Sequence, residues 1–207
     1  MNQNGEVRLT ISYGVKQEIQ RVKNTLKKLQ WYLEQGYRIQ LPEDITKESS
    51  DEDVMKSVQR GYVEADYAEN EKRLQEEWRI VSRGFEEMRR EPSFHLQNEY
   101  GVMLTKYGVG GSYDVSSSQV IVKIKADAQI SRVETVAHEI VHMTIQYLID
   151  LYQVRHWRKE RLVDLIMERY FPELTKMQAI KEDVSMVNRA FEKHFPDIEA
   201  IAQAVGG

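Results

Sequence analysis

Two histidines four residues apart, with a glutamate beside the first, are the residues of this chain best suited to chemistry: His138-Glu139-Ile140-Val141-His142. On an α-helix, side chains at i and i+4 lie on one face a turn apart, so two imidazoles placed this way converge on a single cation. Glu139 stands about 100° round the same helix, where its carboxylate reaches a water held at that cation. Zinc takes nitrogen and oxygen ligands in a tetrahedral array and, when catalytic, keeps one position for water, so a third protein ligand must follow downstream. The pattern points to a zinc-dependent hydrolase with one Zn2+ per chain. Glu139 favours catalysis over a structural site, which has no need of a base.

The third ligand has to come from residues after His142, among which Asp150, His156, Glu160, Asp164, Glu168 and His194 carry suitable atoms. Asp150 falls two turns further along the same helix, about 12 Å away at ~1.5 Å per residue, and cannot bend back. The chain must first reverse. A second helical pattern, Trp157 to Tyr170, follows Gln153-Val154-Arg155-His156, and Glu160 and Asp164 share one face of it, a turn apart. Such a pair suits a metal site, because one carboxylate can bind the ion while the other accepts the outward ring N–H of a ligating histidine and fixes its tautomer.

At these positions the sequence resembles the gluzincin group of zincin metallopeptidases, over roughly residues 100 to 170. In that group a HExxH helix is followed by a helix bearing Glu-x-x-x-Asp, matched here by His138, Glu139, His142, Glu160 and Asp164. The resemblance implies that His138, His142 and Glu160 ligate zinc, that Glu139 is general base and proton shuttle, and that Asp164 orients a histidine, His138 by preference. Thr135, Ile140 and Val141 also fit the flanks of such helices, while the spacing from His142 to Glu160 is slightly shorter than in the best-known members. An arrangement with Asp164 as the ligand stays open, although it leaves Glu160 without a role. Metzincins would need Gly and His where this chain has Ile145 and Leu148, and peptide deformylases need a cysteine, of which there is none. Family members use a His or Tyr to stabilise the oxyanion; Tyr113, Tyr152, His156 and His194 are the residues on offer. They also place a sheet edge just before the active-site helix, along which extended substrate binds, and residues 119 to 125 resemble that strand, with Val120, Val122 and Ile124 alternating along it.

A helix of this kind must be buried. Ser131-Arg132-Val133-Glu134 reads as a capping box at its start, and Val133, Val136, Ala137, Ile140, Val141, Ile145, Leu148 and Ile149 make most of its circumference apolar. Buried polar groups without partners cost about 1–3 kcal/mol each, and a shared metal satisfies the two histidines together. The competing interpretation, a His pair that merely decorates a helix, leaves those groups unanswered.

The elements that position the motif can be read outward from it. Val7, Leu9 and Ile11 alternate as a strand, and Val15, Ile19, Val22, Leu26, Leu29 and Leu33 form a helical stripe stopped by Gly36. A long helix is expected from about Asp51 to Arg90, with Leu74, Trp78, Val81, Phe85 and Met88 as its stripe, Gly61 and Gly84 as places to bend or admit a neighbour, and Pro92 beyond its end. Tyr100 to Thr105 and Gln119 to Lys125 read as strands, separated by a Gly- and Ser-rich loop over 108–118 that carries no phosphate-binding pattern. Pro172 and Phe195-Pro196-Asp197 open further helical stretches.

The resulting expectation is an α+β chain, predominantly helical. Residues 93–207 would form a zincin-like metallopeptidase core whose small mixed or antiparallel sheet precedes the active-site helix. Residues 1–92 would form an N-terminal helical hairpin serving as lid or inhibitory segment. With 207 residues and 41% hydrophobic content the chain can bury one good core. A net charge of −4, from 29 basic and 33 acidic residues, leaves no footprint for nucleic acid, and no run reaches the length of a membrane span. The partner expected is a peptide or protein substrate. The absence of cysteine and of a basic-then-apolar leader points to the cytoplasm. A rival function is a helical interaction scaffold that retains the metal-binding core.

Overall fold

The computed structural model describes residues 6–124, 131–174, 180 and 182–207. The chain is mixed α+β and mostly helical. Strand β1 (Arg8–Ser12) leads into α1 (Val15–Lys27) and α2 (Leu29–Glu34), then α3 (Asp51–Gly61) and α4 (Glu64–Met88). Strands β2 (Glu99–Thr105), β3 (Gly111–Asp114) and β4 (Gln119–Lys123) precede α5 (Arg132–Leu151), α6 (His156–Tyr170), α7 (Ser185–His194) and α8 (Ile198–Val205).

The sheet has the order β1-β2-β4-β3, with β1, β2 and β4 parallel and β3 antiparallel on the outer edge. Cross-strand partners share a face, so Val102, Val120 and Tyr113 point one way, as do Leu104, Val122 and Gly111. That face meets α5, and α4 and α6 complete the layer; Leu74, Trp78, Phe85, Ile140, Ile145, Leu162 and Ile166 fill the main core there. Each such side chain, fully buried, contributes about 1.5–3 kcal/mol of transfer free energy. The opposite face carries a smaller cluster of Val22, Ile45, Val54, Val58 and Tyr107, built by α1 packed on α3.

Four expectations need correction. The stripe at 15–33 is broken at Lys28, whose backbone leaves helical geometry, and the long helix over 51–90 is two helices separated at Tyr62-Val63. The N-terminal hairpin of stripes 15–33 and 74–88 does not form. α1 partners α3 on one side of the sheet, whereas the 74–88 stripe is buried on the other against β2, α5 and α6. The reason is that the chain continues the sheet before it builds helices: β1 pairs with β2 along its length, and Trp78 Nε1 donates to Val7 O at 2.8 Å. The sheet and the main core thus draw on residues from both sides of position 92. The fourth correction concerns β4. It lies between β2 and β3, so Val120, Val122 and Ile124 are core residues, each exposed by 1% or less, and do not line an edge. The edge is β3, inside the stretch read as a loop; a four-residue strand with Gly and Ser in it carries too little alternation to be seen. Lys125 lies outside the described residues.

Gly84 of α4 is where α6 ends. A Cβ at that position would overlap the Phe171 ring and the Tyr170 carbonyl oxygen, so only glycine lets α4 and the end of α6 approach so closely. Gly84→Ala is expected to lower unfolding free energy by about 1–3 kcal/mol, measured by urea denaturation, with the m-value unchanged.

Candidate functional site

α5 starts where its cap dictates. The Ser131 side chain accepts from Glu134 N at 3.1 Å, and the helix then runs unbroken through the motif. It ends in a turn in which Gln153 takes the left-handed conformation, φ 52°, and Val154 N donates to Ile149 O at 3.0 Å. That reversal sends α6 back across α5 and delivers Glu160.

Among the described residues, one group of metal-ligating types comes together: His138, His142 and Glu160. The two Nε2 atoms are 3.0 Å apart, His142 Nε2 is 3.3 Å from Glu160 Oε2, and His138 Nε2 is 3.6 Å from the same oxygen. Ligands of a tetrahedral zinc with bonds of about 2.0–2.2 Å stand about 3.3–3.6 Å from each other. The triangle already has nearly those edges, and two imidazoles with one carboxylate are a donor set that can hold a divalent metal ion. Glu160 and His142 are buried, and His138 is half-buried.

Burial depresses the His142 pKa to about 4, against the pull of Glu160, so its imidazole is neutral near pH 7, as a ligand must be. At His138 burial also opposes charge, but Glu160, Glu139 and Asp164 outweigh it and raise the pKa. Burial acts to raise Glu160; His142, His138 and Lys159 overcome it and hold the carboxyl well below its usual range. Asp164, a turn beyond on α6, is 2% exposed.

His142 Nδ1 is buried without a hydrogen-bond partner among the described residues. Its ring is held instead by stacking on Tyr113, with centroids 5.3 Å apart and planes 13° from parallel. Tyr113 Oη in turn donates to Gln146 Oε1 at 2.5 Å and accepts from Lys159 Nζ at 3.4 Å. His156 faces the same corner, its Nδ1 3.6 Å from Glu160 Oε1 and its Nε2 3.3 Å from Tyr37 Oη, with Trp31 edge-on to its ring.

The other two residues considered for the oxyanion lie elsewhere. Tyr152 Oη donates to Glu199 on α8, and His194 ends α7, which packs on α6 and α8.

Burial lifts the Glu139 carboxyl to about 7, only partly offset by His138, Lys159 and Arg21. A carboxyl poised there both takes and gives protons at neutral pH. Its place is set by β3, since a Cβ on Gly111 would overlap Glu139 Oε1 and the Thr135 methyl. Arg21 of α1 braces that strand: Nη1 donates to Ser112 Oγ at 3.0 Å and Nε to Tyr107 O at 3.4 Å, spanning the β2–β3 connection.

Nothing in the sequence pattern singles out Lys159, Arg21, Gly111, Gln146 or Tyr37. Lys159 sits next to Glu160, and a lysine inside Arg158-Lys159-Glu160-Arg161 is indistinguishable from ordinary surface charge. Arg21 and Tyr37 reach the site only through the tertiary fold.

Comparison of the chain with protein-family models, with curated proteins and with solved structures finds no match in any of the three. Among the described residues no helix is long and apolar enough to cross a membrane.

The contact between Gly111 and Glu139 is testable without any assay of function. Gly111→Ala is expected to cost about 1–3 kcal/mol of stability, and a double-mutant cycle with Glu139→Ala should recover part of that loss, because the carboxylate it collides with is gone. Additive losses would mean that the two residues do not touch.

Proposed function

We propose that this protein is a zinc-dependent peptide hydrolase of the gluzincin kind, with a zincin-like core formed by the sheet, α5 and α6. The observation that carries this reading is the near-tetrahedral spacing of three ligand atoms on α5 and α6 beside a carboxyl whose pKa lies near 7.

His138 and His142 would hold the ion through Nε2 and Glu160 through Oε2, with Asp164 supporting His138. A zinc ion there supplies a Lewis acid that polarises a carbonyl and lowers the pKa of water toward 7. The proton work falls to Glu139. Its carboxylate accepts a proton from the attacking water as the new C–O bond forms, and its carboxylic acid returns that proton to the amide nitrogen as the C–N bond breaks. Equal readiness in both directions is what a pKa near 7 provides.

Substrate would lie along β3. The outer side of β3 has no strand partner among the described residues, and an extended peptide can add to it through backbone hydrogen bonds. Gly111 keeps this edge free of side chain at the point nearest Glu139.

Metal content measured by elemental mass spectrometry on the untagged chain tests the reading directly. Wild type is expected to carry about one zinc per chain, with three protein ligands, and His142→Ala and Glu160→Ala to lose it. Glu139→Gln should keep the zinc and lose about 10²- to 10⁴-fold of hydrolysis on a peptide library. Wild type that takes up no zinc on reconstitution would end the proposal; full activity in Glu139→Gln would end the assignment of the base.

A further inference from the structure

The site as described lacks a donor for the negative charge that develops when water adds to a carbonyl. Water forms a C–O bond, the carbonyl π pair moves onto oxygen, and that oxyanion needs a hydrogen-bond donor or cation in addition to whatever the metal supplies.

The aromatic residues nearest the triad are committed elsewhere. Gln146 Nε2 donates to Asp150 Oδ1 at 2.6 Å, which turns the amide oxygen toward Tyr113, and the Tyr113 hydroxyl proton is spent on that oxygen. His156 has Glu160 on one ring nitrogen and Tyr37 on the other.

Lys159 is differently placed. Its ammonium is 3.6 Å from Glu160 Oε1, the oxygen turned away from the histidine pair, and 3.4 Å from Tyr113 Oη. It lies 5.7 Å from the centroid of the Tyr113 ring, with a side chain only 17% exposed. An ammonium carries three N–H donors, and these two contacts engage at most two of them. Both are long, so the group is anchored between two acceptors rather than saturated by either.

Building on the zinc-hydrolase reading, we infer that Lys159 is the oxyanion-stabilising residue, donating a charge-assisted hydrogen bond to the tetrahedral oxygen while Tyr113 and Glu160 hold it in place. Lys159 passes no proton in this step, and the only proton that moves is the one Glu139 carries.

The test needs no known substrate. The cobalt(II)-loaded full-length protein is titrated with inorganic phosphate, a tetrahedral oxyanion, and binding is read from the visible absorption of the cobalt. Wild type should show a saturable change. Lys159→Met should retain about one cobalt per chain yet bind phosphate about 10- to 100-fold more weakly, Lys159→Arg should stay within a few-fold of wild type, and Tyr113→Phe should lose less than Lys159→Met.

Equal phosphate affinity in wild type and Lys159→Met would overturn the inference. So would a Lys159→Met protein whose only defect is lower cobalt content, since that would make the lysine a support for Glu160 alone. A wild type that binds cobalt but not phosphate would overturn it too, whereas one that binds no cobalt would fail the metal reading on which it rests.

Discussion

Everything at this site follows from one constraint: two imidazoles project from a helix that the core requires to be buried. Val136, Ala137, Ile140, Val141 and Ile145 are fully excluded from solvent, so α5 cannot rotate to give its histidines to water. The cost of two unanswered rings, of order 1–3 kcal/mol each, has to be met from inside the fold. α6 meets it. The left-handed turn at Gln153 brings Glu160 within 3.3 Å of His142 and 3.6 Å of His138, and one carboxylate oxygen then faces both Nε2 atoms. Three lone-pair donors pointed at one spot are mutually repulsive unless a proton or a cation sits among them. The geometry that relieves the burial penalty is therefore also the geometry of a metal site.

The same burial divides the two acids of the site. Glu160 is surrounded by His142, His138 and Lys159, which more than compensate its desolvation and keep it ionised. Glu139, next to His138 on α5, is also desolvated but has weaker compensation, and its carboxyl rises to about 7. Two neighbouring carboxyls with pKa values driven apart is a pattern that keeps one acid ionised and leaves the other able to take up and release a proton. Here the separation is produced by which neighbours each faces, since depth alone would have raised both.

The amount of this that could be read from the sequence depended on range. Local, periodic features were legible: the Ser131 cap, the α5 stripe, the strands at 8–12 and 99–105, and the facing of Glu160 and Asp164 on a second helix are all set by residues within one or two turns. Features set by what packs across the sheet were not. The Asp51–Arg90 helix looks continuous in sequence because Tyr62 and Val63 are not helix breakers; their extended backbone separates α3, which packs on α1, from α4, which packs on β2, α5 and α6. The β3 edge was invisible because Gly111, required by Glu139, and Ser112, held by Arg21, are residues that read as loop. The helices opened by Pro172 and Asp197 had different outcomes: Pro172 begins a turn, while Asp197 does cap α8 by accepting from Ala200 N at 3.0 Å.

The N-terminal segment belongs to the site's support, and the reason is a buried carboxylate. Glu18 of α1 is completely excluded from solvent and takes hydrogen bonds from the Tyr67 hydroxyl on α4, from Thr105 Oγ1 at 2.6 Å and from Lys106 N at 2.6 Å. A carboxyl group so deeply placed is tolerable only while all of those donors stay together. It thereby ties α1 to the end of β2, one residue before the connection that Arg21 braces and that carries Gly111 up to Glu139. Removing β1 and α1 would strip β2 of a strand partner, leave three donors without their acceptor and release the edge strand at once. The placement of the Glu139 carboxyl is in this sense fixed from the far side of the sheet, by residues that touch neither the histidines nor Glu160.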